Sequence, residues 1–238
     1  KGFTGIDDPY EPPIDPELAL KYIRKVIDRS NADGLSFQRC LRRDAAGSGD
    51  DILAGNAMAI VGLYRDIYGV RPRHDRLFID PHITAELSGT RVEYPLRNTR
   101  YSIDLGTHGI KVSALGSPVS CSRSFGVDIS ADSVRFFSTV DRPADLAIAN
   151  PDRRPIEISV EDWSPRTTPP RCALSLRSAA GTTTTVHLQI ADLPGNAGFD
   201  LLKETQIVAH AVSSPSGVFE CELSISESSA HLSLVPVR

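Results

Sequence analysis

The sequence predicts a mainly β protein with an N-terminal α-helical segment followed by an antiparallel β-sandwich. Apolar residues recur at helical spacing as far as Tyr68. Two helix-stopping residues, Gly69 and Pro72, follow directly. From Leu77 onward, short runs rich in β-branched residues alternate with clusters of proline, glycine, serine and aspartate. We therefore expect the chain to change from helix to strand between Gly69 and Leu77.

The first predicted helix follows an irregular loop. Residues 1–13 are rich in glycine, proline and acidic side chains, which exclude regular structure. Asp15 and Pro16 then suit the N-cap and the first helical position. Apolar residues repeat at helical spacing as far as Arg29, so we expect one amphipathic helix. The apolar positions are Leu18, Tyr22, Ile23, Val26 and Ile27.

The second predicted helix spans residues 52–68 and is apolar on most of its circumference. Such a helix must be covered on more than one side. Asp50 or Asp51 can cap its N-terminus, and Ser48 is the competing cap. Gly69 supplies the left-handed residue after its last turn, and proline at position 72 prevents its continuation.

The remainder of the chain is predicted to be β. Alternating apolar and polar residues indicate strands over 91–96, 100–105 and 110–115, with a hairpin across 96–101. Nine further runs are separated by turn residues, a spacing typical of a β-sandwich. These runs are 125–129, 134–137, 146–149, 156–160, 173–176, 183–190, 206–211, 219–225 and 231–235.

Four segments are expected from these patterns. Residues 1–15 form an extended loop and 16–70 a helical segment, whereas 71–117 form β-hairpins and 118–238 a sandwich of the immunoglobulin or fibronectin III type. The boundary lies in the Gly-Ser-Pro sequence at 116–118, and a second loop-rich break lies at 163–171. Whether the two β segments form one sandwich or two stays open.

Composition excludes several classes of function. The 238 residues carry a formal net charge of -4 without a basic stripe, which gives no support to nucleic-acid binding. No apolar run reaches the roughly 20 residues that a membrane helix needs. The four cysteines lack CxxC spacing and the histidines lack H-x-x-x-H spacing, so we expect buried free thiols, no metal and no cofactor. The start at Lys1, without a signal peptide, suggests a fragment, a processed chain or a cloned domain, with a cytoplasmic location.

Residues 56–72, 76–83 and 86–105 resemble a group of carbohydrate enzymes. They look like the end of the catalytic (α/α)6 toroid and the start of the C-terminal β domain in the clan of inverting glycoside hydrolases and phosphorylases. That clan includes enzymes similar to cellobiose phosphorylase and maltose phosphorylase. The matching positions are Gly69, Val70, Arg71, Pro72, Leu77, Ile79, Asp80, Pro81, Tyr101 and Ile103. The resemblance implies an (α/α)-type helical region before the sandwich, and an oligosaccharide or glycoside as partner.

In the phosphorylases of this clan, a Thr-Gly-Ser-type loop before the helix is associated with the phosphate site. The resemblance places Gly47, Ser48 and Gly49 there, and backbone N–H groups at a helix N-terminus can bind an anion. The residue before them is alanine instead of threonine, and Asp50 and Asp51 add negative charge. These differences favour hydrolysis over phosphorolysis. A simple helix cap is the alternative role of this loop.

Inverting hydrolysis needs two carboxylates about 6.5–9.5 Å apart. Asp44, Asp50 and Asp51 lie in the loop that can supply a catalytic base or a substrate contact. The other carboxylate of such enzymes comes from earlier toroid helices, which this sequence lacks. We therefore expect this chain to be a structural or glycan-binding part of such an enzyme that is not catalytic by itself. Its expected protein partner is an upstream toroid domain or a second copy of the chain.

Residues 1–18 separately resemble the lid segment of adenylylsulfate kinase. The resemblance implies that Phe3 stacks on the adenine of a nucleotide. Such a kinase needs a P-loop of the form G-x-x-x-x-G-K-[ST], and the sequence contains none. The segment is then the tail of a fusion, or its similarity is that of a convergent turn.

Trp163 lies in the proline-rich break at 163–171 and has two interpretations. Its ring can stack on the apolar face of a sugar, or it can anchor the loop on the sandwich. Two hypotheses follow for the whole chain. It is the C-terminal part of a carbohydrate-active enzyme, or it is a non-catalytic β-sandwich interaction module.

Overall fold

The structure is a computed structural model that describes residues 15–33, 59–114, 116–121, 125–137, 144–179, 181–226 and 229–237. Its helical elements are α1 (Pro16–Asp33), a π-helical turn (Leu63–Ile67) that continues an α-helical turn over 59–62, and a 3₁₀ turn (Ala85–Leu87). The strands are β1 (Val70–Pro72), β2 (Leu77–Ile79), β3 (Thr90–Leu96), β4 (Thr99–Gly106), β5 (Gly109–Ala114), β6 (Ser117–Cys121), β7 (Gly126–Ile129), β8 (Ser133–Phe137), β9 (Leu146–Ala149), β10 (Ile156–Ser164), β11 (Arg171–Ser178), β12 (Thr184–Ile190), β13 (Gly198–Lys203), β14 (Gln206–Val212), β15 (Phe219–Ile225) and β16 (Ala230–Pro236).

The described strands form two sheets. The seven-stranded sheet has the order β1-β2-β7-β8-β9-β12-β15, and the nine-stranded sheet has the order β14-β13-β16-β11-β10-β6-β5-β4-β3. The pairs are antiparallel except for β6 with β10, which is parallel. The predicted mainly β, antiparallel-rich fold is therefore confirmed, with β16 inside the larger sheet between β13 and β11.

One hydrophobic core joins the two sheets. Val127 and Leu188 of the seven-stranded sheet and Ile103, Val112 and Leu174 of the nine-stranded sheet all belong to it. Because side chains alternate between the faces of a strand, the buried residues of a strand such as β12 recur at every second position. Full burial of one such aliphatic side chain contributes roughly 1.5–3 kcal/mol.

The two β segments expected from the sequence are interleaved. Strands β1 and β2 pair into the sheet that contains β7–β9, β12 and β15, and β3–β5 share a sheet with β10, β11 and β16. The boundary expected at 116–118 falls at the tight connection between β5 and β6, where Ala114 pairs with Ser117. The described strands before and after this point therefore share one core, which corrects the division into 71–117 and 118–238.

Helix α1 begins as the sequence predicts. The backbone N–H of Leu18 donates to Asp15 Oδ1 at 3.1 Å, so Asp15 is the N-cap. Leu20 and Ile23 are buried, whereas Leu18 and Tyr22 stay about half exposed. Only part of the predicted apolar face is therefore covered.

The helix that precedes β1 ends at a close backbone contact. Gly69 has φ +67°, the left-handed conformation that the sequence predicts. The Asp80 N–H donates to the Gly69 carbonyl at 3.0 Å, and the His82 N–H donates to the Ile67 carbonyl at 2.9 Å. A Cβ atom on Gly69 would lie 1.8 Å from the Asp80 carbonyl oxygen. Only glycine therefore fits this joint between helix and sheet.

Three strands escape the sequence prediction, namely β1, β6 and β13. Each contains a residue that usually interrupts strands: Pro72, Pro118 or Gly198. Strand β10 also continues past its predicted end to Ser164, after an irregularity in its pairing between Val160 and Asp162. No described helix has the length and hydropathy needed to cross a membrane.

Among the described cysteines, Cys121 and Cys172 are buried free thiols and Cys221 is half-buried. Burial, reinforced by the charge of Asp162, raises the pKa of Cys172 to about 12. Burial also raises the pKa of Cys221 to about 11. Both thiols are therefore protonated and poorly nucleophilic at neutral pH.

We expect Gly69→Ala to lower the free energy of unfolding by more than about 3 kcal/mol, because the new Cβ meets the Asp80 carbonyl. Gly89→Ala is the matched control, since Gly89 has φ +88° but open space around its Cβ position. There we expect only the left-handed backbone strain, about 1–2 kcal/mol. Denaturant titration followed by Trp163 fluorescence measures both losses. Equal losses would contradict the close contact.

Alkaline pH should destabilise the protein through Cys172. Between its ordinary pKa and about 12, the unfolded thiol loses its proton while the folded thiol keeps it. The free energy of unfolding therefore falls as pH rises through this range. Denaturant titration at pH 7.5 and 10.5 should show a fall for the wild type that exceeds the fall for Cys172→Ala by about 1–2 kcal/mol. Equal falls would contradict the effect of burial on this thiol.

Candidate functional site

Most site residues suggested by the sequence lie outside the described residues. This set comprises Phe3, Asp44, Gly47, Ser48, Gly49, Asp50 and Asp51. The roles suggested for them stay predictions, as does capping of the second helix by Asp50 or Asp51. Trp163 is the one suggested site residue that lies in the described part of the chain.

Trp163 belongs to strand β10 and is only 2% exposed. It pairs with Cys172 and forms part of the shared core. The ring therefore presents no open face to a sugar, which corrects its suggested role in substrate binding. The alternative interpretation, an anchor that packs the chain on the sandwich, agrees with this burial.

A group of arginines lies on the outer face of the seven-stranded sheet. The hairpin β1–β2 carries the loop Arg73-His74-Asp75-Arg76, which is closed by a hydrogen bond from the Arg73 N–H to the Arg76 carbonyl at 2.9 Å. Cross-strand register aligns Arg71 with Phe78, Phe78 with Asp128, and Asp128 with Arg135. These residues point away from the core, because Leu77, Val127 and Val134 beside them point into it. We name Arg71, Arg73, Arg76, Arg135, Asp75 and Asp128 the arginine cluster.

Asp128 is the centre of the arginine cluster. Its side chain is 0% exposed although it points outward from the sheet, because guanidinium groups cover it. Arg135 Nη2 donates to Asp128 Oδ2 at 2.5 Å, and Arg76 Nη1 lies 3.5 Å from the same oxygen. Asp128 Oδ1 is also buried and has no hydrogen-bond partner among the described residues. One carboxylate thus fixes two arginines that come from distant parts of the chain.

Arg76 makes a second, two-point contact. Its Nε and Nη2 atoms donate to Asp75 Oδ1 and Oδ2 at 2.9 and 3.0 Å. These hydrogen bonds lower the pKa of Asp75 to about 2 and raise the pKa of Arg76. Both groups stay charged throughout the physiological range, so neither Asp75 nor Arg76 is poised for general acid–base catalysis.

Two phenylalanines support the guanidinium groups. The rings of Phe78 and Phe137 meet edge to face, with centroids 5.9 Å apart. The Arg73 guanidinium lies 4.6 Å from the Phe78 centroid, and Arg135 lies 5.9 Å from the Phe137 centroid. Gly126 leaves room for this arrangement, since a Cβ there would lie 3.1 Å from Phe78 Cζ. Cation–π contacts therefore hold arginines on both sides of the ring pair.

The arginine cluster carries four positive and two negative charges, an excess of two positive charges. The whole chain has a formal net charge of -4, so the arginine cluster differs in sign from the chain as a whole. Guanidinium groups match the planar geometry of carboxylate, sulfate and phosphate oxygens. Chemically, the arrangement is suited to binding an anion.

Ser175, His231 and Glu161 are the residue types of a nucleophilic triad, yet their geometry differs from one. Ser175 Oγ donates to Glu161 Oε1 at 2.6 Å and lies 2.8 Å from His231 Nδ1. The same Nδ1 atom lies 3.5 Å from Glu161 Oε1. A triad histidine connects serine and acid through its two different nitrogens, whereas here one nitrogen faces both. This exposed group on the nine-stranded sheet therefore does not activate the serine.

Two open depressions lie away from the arginine cluster. One, of about 600 Å³, follows α1 and includes the ion pair of Arg24 with Glu86. The other, of about 500 Å³, lies between Pro118 and Pro155 on the nine-stranded sheet. Among the described residues, no group of three or more histidine, cysteine, aspartate or glutamate side chains is placed to hold a metal ion.

The arginine cluster was not predicted from the sequence. Its signal was the dense run Arg71-Pro72-Arg73-His74-Asp75-Arg76, which has three arginines in six residues. Asp128 and Arg135 join this run only through strand pairing, which the sequence does not specify. A basic run at a predicted helix-to-strand junction is therefore the feature that would have indicated this site.

Asp128→Ala should lower the free energy of unfolding by about 3 kcal/mol, because it leaves two guanidinium groups over an empty buried position. Asp104→Ala is the matched control, since Asp104 also meets an arginine, Arg91, at 2.5 Å but at an exposed position. There we expect a loss within about 0.5 kcal/mol. Denaturant titration measures both, and equal losses would contradict the structural role of Asp128.

Comparison of the chain with protein-family models, with curated proteins and with solved structures gives no match.

Proposed function

We propose that this chain is the C-terminal portion of a carbohydrate-active enzyme of the inverting glycoside hydrolase or phosphorylase type. In this proposal the β-sandwich braces a helical catalytic region and binds glycan, and it is not catalytic by itself. The observation that carries the proposal is a set of exposed apolar side chains on the two helices next to the sandwich. These side chains are Leu18, Tyr22 and Ile27 of α1 and Ile60, Val61 and Tyr64 of the helix before β1.

These exposed side chains suit a helix–helix interface. Ile60 is 60% exposed, and α1 packs against the same helix. Burial of an aliphatic side chain of this size is worth roughly 1.5–3 kcal/mol, so their exposure forgoes considerable stabilisation. Contiguous exposed apolar groups on a protein typically mark an interaction site. Further helices of a toroid are a partner of matching chemistry.

The joint at Gly69 supports a bracing role. The segment from Gly69 to Pro81 matches the sequence pattern of the resembled clan. In the same segment, the end of the helix is hydrogen-bonded to the residues that follow β2. Backbone hydrogen bonds from Asp80 and His82 hold the helix end directly against the sheet. A helix fixed in this way can hold further helices that pack on it in a defined position relative to the sandwich.

The described acidic groups favour a non-catalytic role. Asp128, Asp75 and Asp104 each contact arginine, and Asp200 contacts His210 at 2.7 Å. A glycosidase pair instead faces its substrate from two sides, with room for a water molecule. Within the proposal, any catalytic carboxylate of this chain comes from the loop at 44–51. This loop has alanine where the resembled phosphorylases have threonine, a difference that favours hydrolysis over phosphorolysis.

Self-association of the purified chain tests the proposal. We expect concentration-dependent association in sedimentation velocity, together with binding of a hydrophobic dye, because the helix side chains lack their partner. Ile60→Glu should reduce both to near the monomer level. Ile207→Glu is the matched control, since Ile207 is 55% exposed but lies on strand β14. Its association should match that of the wild type.

Two outcomes would contradict the proposal. A monodisperse monomer that binds neither the dye nor any sugar on a glycan array would leave a structural β module. Turnover of nitrophenyl glycosides that is lost in Asp50→Asn or Asp51→Asn would show that the chain is catalytic by itself.

A further inference from the structure

We infer that the arginine cluster binds the anionic groups, sulfate or carboxylate, of an acidic polysaccharide. This inference rests on the proposed glycan-binding function and names the class of ligand. The arginine cluster has an excess of two positive charges, whereas the whole chain has a net charge of -4.

The guanidinium groups are ordered before a ligand arrives. Asp128 holds Arg135 and Arg76 from below, and Asp75 holds Arg76 from the side. Phe78 supports Arg73 through its ring face. Free arginine side chains lose considerable rotamer entropy when a ligand fixes them, and prior ordering removes much of that cost. The buried carboxylate is thus a positioning group for the arginines above it.

Two of these arginines retain free donors. Arg76 uses its Nε, Nη2 and Nη1 atoms on Asp75 and Asp128. Arg135 uses Nη2 on Asp128 and its Nε is buried, but the side chain remains 36% exposed, which leaves its Nη1 group as the donor for a ligand. The exposed Arg73 side chain makes no hydrogen bond to a described residue. A guanidinium group has five N–H donors, so Arg73 and Arg135 can hold anionic oxygens while Arg76 keeps its position.

The surroundings of Arg135 suit a sugar ring that carries the anion. Phe137 is half-buried beside it, with its centroid 5.9 Å from the guanidinium carbon. The aromatic surface can contact the apolar C–H face of a pyranose while Arg135 binds a substituent of the same ring. A sheet face with an arginine and an adjoining ring therefore favours a charged sugar over a bare inorganic anion.

The rest of the sheet face limits how far such a polymer extends. Register continues from Arg135 to Ala147, from Ala147 to Gln189, and from Gln189 to Glu220. Ala147 leaves the path open, and Gln189 offers neutral polar atoms. Glu220 and its neighbour Glu222 on β15 are exposed acids that repel an anionic chain. The bound anionic units therefore lie at the β1–β8 end of the sheet.

Affinity measurements with four polymers test the inference. Heparin carries sulfate and carboxylate, dextran sulfate carries sulfate alone, polygalacturonate carries carboxylate alone, and plain dextran is neutral. We expect the whole chain to bind heparin and at least one single-anion polymer at 50 mM NaCl, with the pattern showing which anion is preferred. Plain dextran should bind at least tenfold more weakly. Binding should weaken at 500 mM NaCl, because salt screens exposed charges.

Arg73→Ala is the decisive variant. Arg73 is exposed, and its guanidinium lies over the Phe78 ring without a hydrogen bond to any described residue. Its removal should therefore leave the fold intact and weaken binding about tenfold. Arg135→Gln should weaken binding at least as much. Arg100→Ala is the matched control, since it removes an exposed arginine from β4 in the other sheet, and its affinity should stay within about twofold of the wild type.

Several results would overturn the inference. Equal affinity of wild type and Arg73→Ala would exclude the arginine cluster as the site. Competition by duplex DNA as strong as that by the best polysaccharide would show general polyanion attraction. Binding of neutral glycans without anionic preference would sink the ligand class while the proposed function stands. A wild-type chain that neither self-associates nor binds any glycan would contradict the proposed function itself.

Discussion

The backbone contact between Gly69 and Asp80 is the constraint on which the arginine cluster depends. It fixes the end of the helix against the outgoing residue of β2, and so sets the position of the whole β1–β2 hairpin. That hairpin carries three of the four arginines in the cluster. A larger residue at position 69 would push the hairpin away from β7, and Arg76 would lose its carboxylate. A single left-handed glycine thus connects the helical segment with the charged face of the sheet.

Asp128 shows how a strand can hold a charge without exposing it. Its neighbours Val127 and Ile129 enter the core, whereas Asp128 faces outward beneath two arginines. An ion pair buried in this way costs desolvation energy, and well-packed apolar residues often give equal or greater stability. The evident consequence of Asp128 is therefore orientation: it holds Arg76 and Arg135 at one place on the sheet. The pair of Arg91 and Asp104 differs from this arrangement, because both side chains are exposed to solvent.

Local chemistry made part of the structure predictable. The Asp15 cap, the left-handed Gly69 and the hairpin after β3 each depend on a few adjacent residues, and all were predicted from the sequence. Strands that contain proline or glycine were missed, because strand pairing outweighed the local preference at Pro118 and Gly198. The arginine cluster was missed for a different reason. It requires register between residues about fifty positions apart, and alternation alone does not determine which strands become neighbours. The burial of Trp163 likewise follows from the continuation of β10 beyond the predicted loop boundary.

The place of β16 in the nine-stranded sheet affects how the protein is made. This strand, near the end of the sequence, fills the gap between β13 and β11. Until residues 230–236 have left the ribosome, those two strands expose unpaired edges and half of an apolar face. The larger sheet can therefore close only after synthesis of Pro236, although most of its strands emerge earlier. During that interval the nascent chain presents the kind of surface that chaperones recognise and that favours aggregation.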